Sequence, residues 1–518
     1  MSLLPAMAQE DEQRGVGLSG SIQTDILVPQ EDTAIGAAGY GGQVLSNTYA
    51  DLLLTSRYVD AGMRLEYMEH PLPGFEADFD GWGLAHLFLT AHAKNMELTV
   101  GDFYEQFGSG LTLHTYEERT LGIDNSLRGA RVRWQPFRGV SVKALAGRQR
   151  HYWKHNKAWT TGADLEVAMD EWMGTLRQAE TKWSVGASAV NRHGQKDEQA
   201  LQPADRLKNA TLFGVRTRVQ HGTWDTQAEW AHKTADPNAA NNYSQRAGNA
   251  LALSSSLRMD SLTLLMQVRR SDNIALSSES TTSTLASMIN HQPAFIQEHY
   301  LALPITFPYA TQMKGEWVGH VEVGYAARPH TLLGGRYGTS VKLNFSHAHS
   351  PKANGSFWGW GKETFYQDFN LHLQKRLTPS WSLGFMYMNQ TYNQGVLEGT
   401  GGMMENNIYV LETDYIIGPK YKLRAEAQYM NSNVQINDEL LALLEWSVGE
   451  QWKFAINYEY YPHDGQTHYP AAGIEFNTGA HALQVYYGRF SSGLESAGGI
   501  CREAPSARGI AVSYTCSF

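Results

Sequence analysis

The sequence predicts an all-β fold: a single transmembrane antiparallel β-barrel of about 24 strands, with long loops on one side and short turns on the other. Three observations carry this. Segments of about ten residues alternate apolar and polar side chains along the whole chain, the period of a strand with two unlike faces. Very short turns, such as Pro136-Phe137, His221-Gly222, Met259-Asp260, Gly418-Pro419, Gly449-Glu450 and Thr478-Gly479, alternate with long polar connections. The last segment sets Ile510, Val512, Tyr514, Cys516 and Phe518 against Ala511, Ser513, Thr515 and Ser517, and so ends on an aromatic residue.

Composition agrees with these signals. The chain has 49 Gly, 26 Tyr and 14 Trp but only 18% charged residues, as expected for strands joined by turns with many rings at a boundary. No apolar run approaches the roughly 18 residues that a spanning helix needs. A membrane form must then be a closed barrel, the alternative that leaves no backbone group unpaired in lipid. No Pro- or Ser-rich linker divides the 518 residues, so 9–518 is read as one barrel. The formal charge of -10 argues against nucleic acid, whose partners carry a basic stripe. Ala6-Met7-Ala8 before Gln9-Glu10 fits a small-x-small cleavage site, so residues 1–8 are read as the tail of a signal peptide. Cys501 and Cys516 lie close in sequence, which leaves a disulfide open, but Cys516 falls on the apolar face of the last strand and free thiols are the preferred reading.

Taken in order, apolar Val16, Leu18, Ile22, Ile26 and Val28 mark a first strand. A second puts Ala50, Leu52, Leu54 and Tyr58 on one face, and Val59-Asp60 separates it from a third in which Met63, Leu65 and Tyr67 alternate with Arg64 and Glu66. Pairs follow at 81–93 with 96–103, 129–134 with 140–148, and 211–220 with 223–233, while 163–170 and 331–348 alternate less clearly. Tyr421, Leu423, Ala425, Ala427 and Tyr429 interleave with Lys422, Arg424, Glu426 and Gln428; Ala425 is read as lipid-facing and Gln428 as a wet inward position tolerant of Lys. Tyr58, Trp134, Trp183, Trp224, Trp230, Trp317, Trp381, Tyr415, Tyr421 and Trp452 lie near strand ends, where rings form interfacial girdles. An even strand count puts both termini on the short-turn side, which is expected to be periplasmic.

A barrel this wide is either filled or open, and barrels of about 22 strands carry a plug. Few residues precede the first strand, so the filling is expected from the internal segments 104–127 and 271–315. The second, with Pro293, Pro304, Pro308, Phe295-Ile296 and an apolar run from Leu301 to Phe307, is too hydrophobic for a free loop and either plugs the lumen or docks a partner. The first places both charge signs together in Glu117, Glu118, Arg119, Asp124, Arg128 and Arg131, which suits a constriction with a local field. Arg133 and Lys143 continue a basic inward sector with Arg148, Arg216, Arg218 and Arg269, against acidic Asp225, Glu229, Glu316 and Glu322. There is no Gly-x-Ser-x-Gly elbow, His-Glu-x-x-His or phosphate loop, so neither an enzyme nor a cofactor is expected. His151 with His155 and His347 with His349 are read as ordinary polar residues rather than metal ligands.

The stretch Gly101-Asp102-Phe103-Tyr104-Glu105-Gln106-Phe107-Gly108-Ser109-Gly110-Leu111-Thr112-Leu113, continued by Tyr116-Glu117-Glu118-Arg119 and Gly122-Ile123-Asp124-Asn125-Ser126-Leu127-Arg128-Gly129-Ala130-Arg131, resembles a family of Bacteroidota outer-membrane β-barrel proteins without an assigned biochemical function. The likeness runs along essentially the whole chain, and the terminal Phe518 resembles the signature that such barrels present to their insertion machinery. It implies a large barrel with an outer-membrane address and supplies no catalytic residues. Two functions fit: a pore for hydrophilic solutes, or a structural subunit of an outer-membrane assembly or secretion complex with a loop-filled lumen. Outer-membrane lipid is the expected partner of both, and other outer-membrane proteins are partners of the second.

Overall fold

Alternation along the chain becomes a wall with two unlike faces. A computed structural model describes residues 15–194, 209–278, 287–352, 357–434, 437–462, 467–497 and 500–518; the expected signal-peptide tail, 1–8, lies outside them. The first strands are β1 (Gly17–Pro29), β2 (Leu45–Thr55), β3 (Val59–Met68), β4 (Gly81–Ala93), β5 (Met96–Phe103) and β6 (Leu127–Trp134). Next come β7 (Val140–His151), β8 (Trp159–Ala168), β9 (Thr181–His193), β10 (Asn209–His221), β11 (Trp224–Lys233) and β12 (Gly248–Met259). The second half continues with β13 (Leu262–Asp272), β14 (Gly315–Ala327), β15 (Thr339–Pro351), β16 (Trp360–Thr378), β17 (Trp381–Asn393) and β18 (Met403–Ile417). The last are β19 (Tyr421–Ser432), β20 (Glu439–Val448), β21 (Trp452–Tyr461), β22 (Thr467–Asn477), β23 (His481–Phe490) and β24 (Ala507–Ser517).

Each strand pairs antiparallel with its neighbours, and β24 pairs with both β23 and β1, closing a 24-stranded barrel. Closure leaves no row of unpaired N–H and C=O groups, the condition for strands to cross lipid. No helix among the described residues is long and apolar enough to cross a membrane. At the seam Ser21 faces Asp51 on one side and Ser517 on the other. Phe518 and Gly20 exchange two backbone hydrogen bonds of 3.0 Å each. A Cβ on Gly20 would stand 2.5 Å from the tip of the Phe518 ring, so a side chain there displaces the ring from its present seat against β1.

Leu18, Ile22, Leu52, Leu54, Leu87, Leu89, Val215, Leu343, Leu411 and Ile456 form an exposed outer band. Tyr58, Trp134, Trp224, Trp381, Tyr415, Tyr421 and Trp452 are exposed near the short-turn rim. Trp317 departs from the girdle expectation: it is 6% exposed because Trp360 stacks on it at 5.7 Å and Trp358 lies at 6.1 Å. Tyr58 belongs to the turn after β2, and Val59-Asp60 opens β3 rather than separating the strands, since the Ser56 hydroxyl bonds to the Val59 carbonyl and closes the turn earlier. The two less regular segments settle as β8 and β15, each shifted from its expected bounds. The shift arises because two short-side connections are long: 169–180 holds a helix (Gly174–Gln178), and in 328–338 the Thr331 hydroxyl satisfies Gly334 N–H at 3.0 Å and Arg328 C=O at 2.7 Å. Both described ends of the barrel wall, at Gly17 and Ser517, lie on the short-turn side.

Candidate functional site

The lumen is where the sequence places its charge, and the chain itself enters it. Between β5 and β6 it leaves the wall for 104–126, ending one residue before the expected bound, and between β13 and β14 for the described residues 273–278 and 287–314, one or two residues inside the expected bounds. The first insert folds into two small hairpins, Gln106–Phe107 with Leu113–His114 and Glu117–Glu118 with Ile123–Asp124. Phe107 and Leu113 bury against Leu145, Val190 and Leu212 of the inner wall, joined by Leu276 and Ile289 of the second insert. Gly162 makes room for this, since a Cβ there would meet the Phe107 ring at 2.9 Å.

The second insert extends this filling across the barrel. Leu301 and Leu303 pack on Met386, Met388, Ile408, Val410, Met430 and Leu441, and Tyr309 joins Phe365, Tyr366, Tyr392 and Met404. Methionine suits an irregular insert because its unbranched thioether adapts to the gap. Polar backbone left by the inserts is satisfied between them. His114 N–H donates to Ile289 C=O at 2.8 Å, Asn125 to Met288 C=O at 3.0 Å and Asn290 to Leu111 C=O at 3.0 Å. Arg269 anchors the second insert by donating to the Gln292 carbonyl and to Glu316, which also accepts from the Tyr309 hydroxyl at 2.5 Å.

Two charge clusters pin the first insert. At one, Glu105 accepts from Arg133 at 2.9 Å and Lys143 at 3.0 Å, with Arg131 at 3.5 Å. Burial works to raise the Glu105 carboxyl, but Lys143 and Arg133 outweigh it and hold the group below its ordinary value. At the other, Arg64 pairs with Asp51 at 2.7 Å and Glu117 at 2.6 Å, Arg119 with Asp51 and Glu117 at 2.8 Å each, and Arg150 with Glu66 and Asp124 at 2.6 Å each. Four carboxylates thus share three guanidiniums. Burial raises Glu117 above its ordinary value, whereas Arg150 and the Ser126 N–H overcome burial at Asp124 and lower it. Oxygens of Glu66, Glu117 and Asp124 lie within 4.8 Å of one another, but Arg64 and Arg150 occupy them, so the set is an ion-pair cluster and not an open cation site.

Of the sequence-derived residues, Glu117, Arg119 and Asp124 meet in one cluster, and Arg131, Arg133 and Lys143 in the other. Glu118 joins neither; it accepts from the Thr120 N–H and hydroxyl. Arg128 does not face the lumen. It is one residue out of phase with the inward Leu127, Gly129 and Arg131, and it pairs with Asp102 at 2.7 Å. Arg148 stands on the same outer register, opposite Arg128, over the Trp159 ring at 4.9 Å. His347 and His349 stack on the outer face beside Trp360. Asp51, Arg64, Glu66, Glu105 and Arg150 were missed; the only signal was the alternation of Arg64 and Glu66 with apolar neighbours. Elsewhere Arg216 pairs with Asp164 and Glu166, Arg218 with Asp225, Lys342 with Glu322, and Glu412, Arg424, Glu445, Lys453 and Glu475 form a ladder across β18 to β22.

With that geometry in place, comparison with known proteins gives three findings. No curated protein matches the chain in sequence. Among solved structures, the barrel is similar to a chain of an E. coli P pilus tip assembly intermediate (PapC-PapD-PapK-PapG), with 11% identity and a TM-score of 0.50 over 98% of this chain and 61% of that one. It is also similar to the P pilus usher (PapC) translocation pore, at 11% identity and a TM-score of 0.48 over 96% and 99% of the two chains. The Acinetobacter baumannii protein OccAB4 follows at 10% identity and 0.41, covering 82% and 99%. Identities this low speak to the fold alone. The family model described as a family of unknown function (DUF6029) matches residues 1–518, and the chain belongs to that family.

Proposed function

We propose that the protein is an integral outer-membrane barrel, both termini periplasmic, that passes hydrophilic solutes through a lumen gated by its own two inserts. The observation behind this reading is the division of the inner wall. Beneath Phe107, Leu113, Leu301 and Leu303 the wall is apolar and buried; on β18 to β22 the paired side chains of Glu412, Arg424, Glu445, Lys453 and Glu475 remain 12% to 34% exposed inside the barrel. Charges kept wet beside a plug suit a route for polar solutes. A second reading, a structural subunit of an assembly or secretion complex, is favoured by the dry seat of Leu301 and Leu303 on the methionine-rich wall, which resembles a permanent core. Planar-bilayer recordings separate the two, using the parent and a variant with 104–126 replaced by a short Gly-Ser linker. Gated openings in the parent that become sustained in the variant support the channel. A silent parent with a conducting variant means a permanent plug and favours the subunit, and silence from both ends the channel reading.

A further inference from the structure

The two inserts and the wall do not close on each other everywhere. Under the junction of Ser109 and Gln292 lies a cavity of about 310 Å3, bounded by β11, β12 and β13 and roofed by both inserts. Its size is in the range of small-molecule sites. Gln227 and Gln267 project from the wall, Gln292 and Phe295 from the second insert, and Ser109 from the first, with Glu229 beside them. The Gln292 amide donates to the Ser109 hydroxyl at 2.9 Å and to its carbonyl at 3.3 Å. A carbonyl only accepts, so the nitrogen end of that amide is fixed toward Ser109. Its Oε1 is then buried with no hydrogen-bond partner among the described residues, on a side chain in a residue only 6% exposed. An unpaired buried acceptor is costly, and a hydroxyl donor that reached it would relieve that cost.

From this arrangement we infer that the cavity binds a neutral polyhydroxylated solute of the size of a simple sugar. Amides offer donor and acceptor side by side, which matches hydroxyl groups that do both. Phe295 supplies an apolar face for a ring. Charge argues in the same direction. Glu229 repels anions, and its own oxygen already takes the Ser109 N–H at 2.7 Å. Arg216 reaches the same Gly108 but is already paired with Asp164 and Glu166, so the preference for a neutral over a cationic ligand rests on the three uncharged amides that line the cavity. The site also sits on a joint: Ser109 is bonded at once to the wall through Glu229 and to the second insert through Gln292. A sugar that engages Gln292 therefore competes for the link between the two inserts. The inference names a substrate class for the channel proposed above, but the site itself stands or falls on binding.

Isothermal titration of the full chain in detergent tests it, with glucose, N-acetylglucosamine and maltose as probes and gluconate and glucosamine as charged controls. Saturable binding of at least one neutral sugar is expected, with neither charged control binding comparably. Gln292→Leu and, from the wall, Gln267→Leu should each weaken it about tenfold, the effect of one lost hydrogen bond to a buried partner. Heat-modifiable migration in gels shows that a variant is folded. Among the described residues Gln267 bonds to Ser254 and His320 of the wall, so its variant keeps the test valid if Gln292→Leu fails to fold. Absence of binding by all three sugars, binding unchanged in folded variants, or equal binding of the charged controls would overturn the inference. Binding by a protein that is silent in bilayers would remove the channel and leave the site.

Discussion

A carboxylate at position 105 with three cations around it has no neutral escape. Removing one partner of a buried pair leaves the others uncompensated and costs about 3–5 kcal/mol, so Glu105→Gln should markedly lower the denaturation midpoint of the folded, heat-modifiable form. Glu118→Gln, whose side chain only caps a turn, should stay within about 0.5 kcal/mol of the parent in the same titration. Acid gives an independent check. The Glu105 carboxyl is lowered in the folded state, so its contribution is complete above the ordinary glutamate value of 4.5 and is lost as pH falls through the folded value. Acid unfolding of the parent should therefore be steeper below pH 4.5 than that of Glu105→Gln; superimposable acid curves would show that the cluster does not pin the insert. The inward phase of Arg131, Arg133 and Lys143 was legible because period-two alternation fixes it. Their counterion was not, because Glu105 sits where the chain leaves the strand and alternation stops. Arg128 was misplaced for the same reason: the insert hides where β6 begins, and an error of one residue turns a side chain through the wall.

The bounds 81–93 and 96–103 read from the sequence are those of β4 and β5, and most others fall within one to three residues, since turns and alternation are both local. The inner surface was harder. Met386, Met388, Ile408, Val410 and Met430 face inward and yet are apolar, which breaks the polar-in pattern, and only the presence of the second insert explains them. Gln428 shows the consequence. It is 2% exposed and accepts the Leu303 N–H at 2.9 Å, so it is not a wet site tolerant of Lys but part of the seat of that insert. Three lysine substitutions should then separate three environments. Ala425→Lys, on the outer register, should cost about 2–4 kcal/mol and Gln484→Lys, exposed on the inner face, close to nothing. Gln428→Lys should cost about 1–3 kcal/mol for the orphaned Leu303 N–H. Chemical denaturation in lipid vesicles measures all three; equal costs at 425 and 484 would show that the register is wrong.

At the scale of the molecule, one pairing makes the sheet a barrel. Phe518 closes it, so deleting Phe518 should lower the yield of heat-modifiable protein, and Gly20→Leu should do the same by pushing the ring off β1. Wild-type yield from both variants would show that the terminal ring is dispensable. Ser21 and Ser517, partners at the seam, stand at opposite ends of the chain, while every other wall pairing joins wall strands consecutive in the chain. Closing so long a loop is an entropic cost that local hairpins do not share. Until it is met, the growing sheet carries two bare edges at once, each a template for another chain. The seam therefore governs time more than depth: a weakened β1–β24 junction would appear first as aggregation and delay during assembly, in a protein whose finished form is nearly as stable as before.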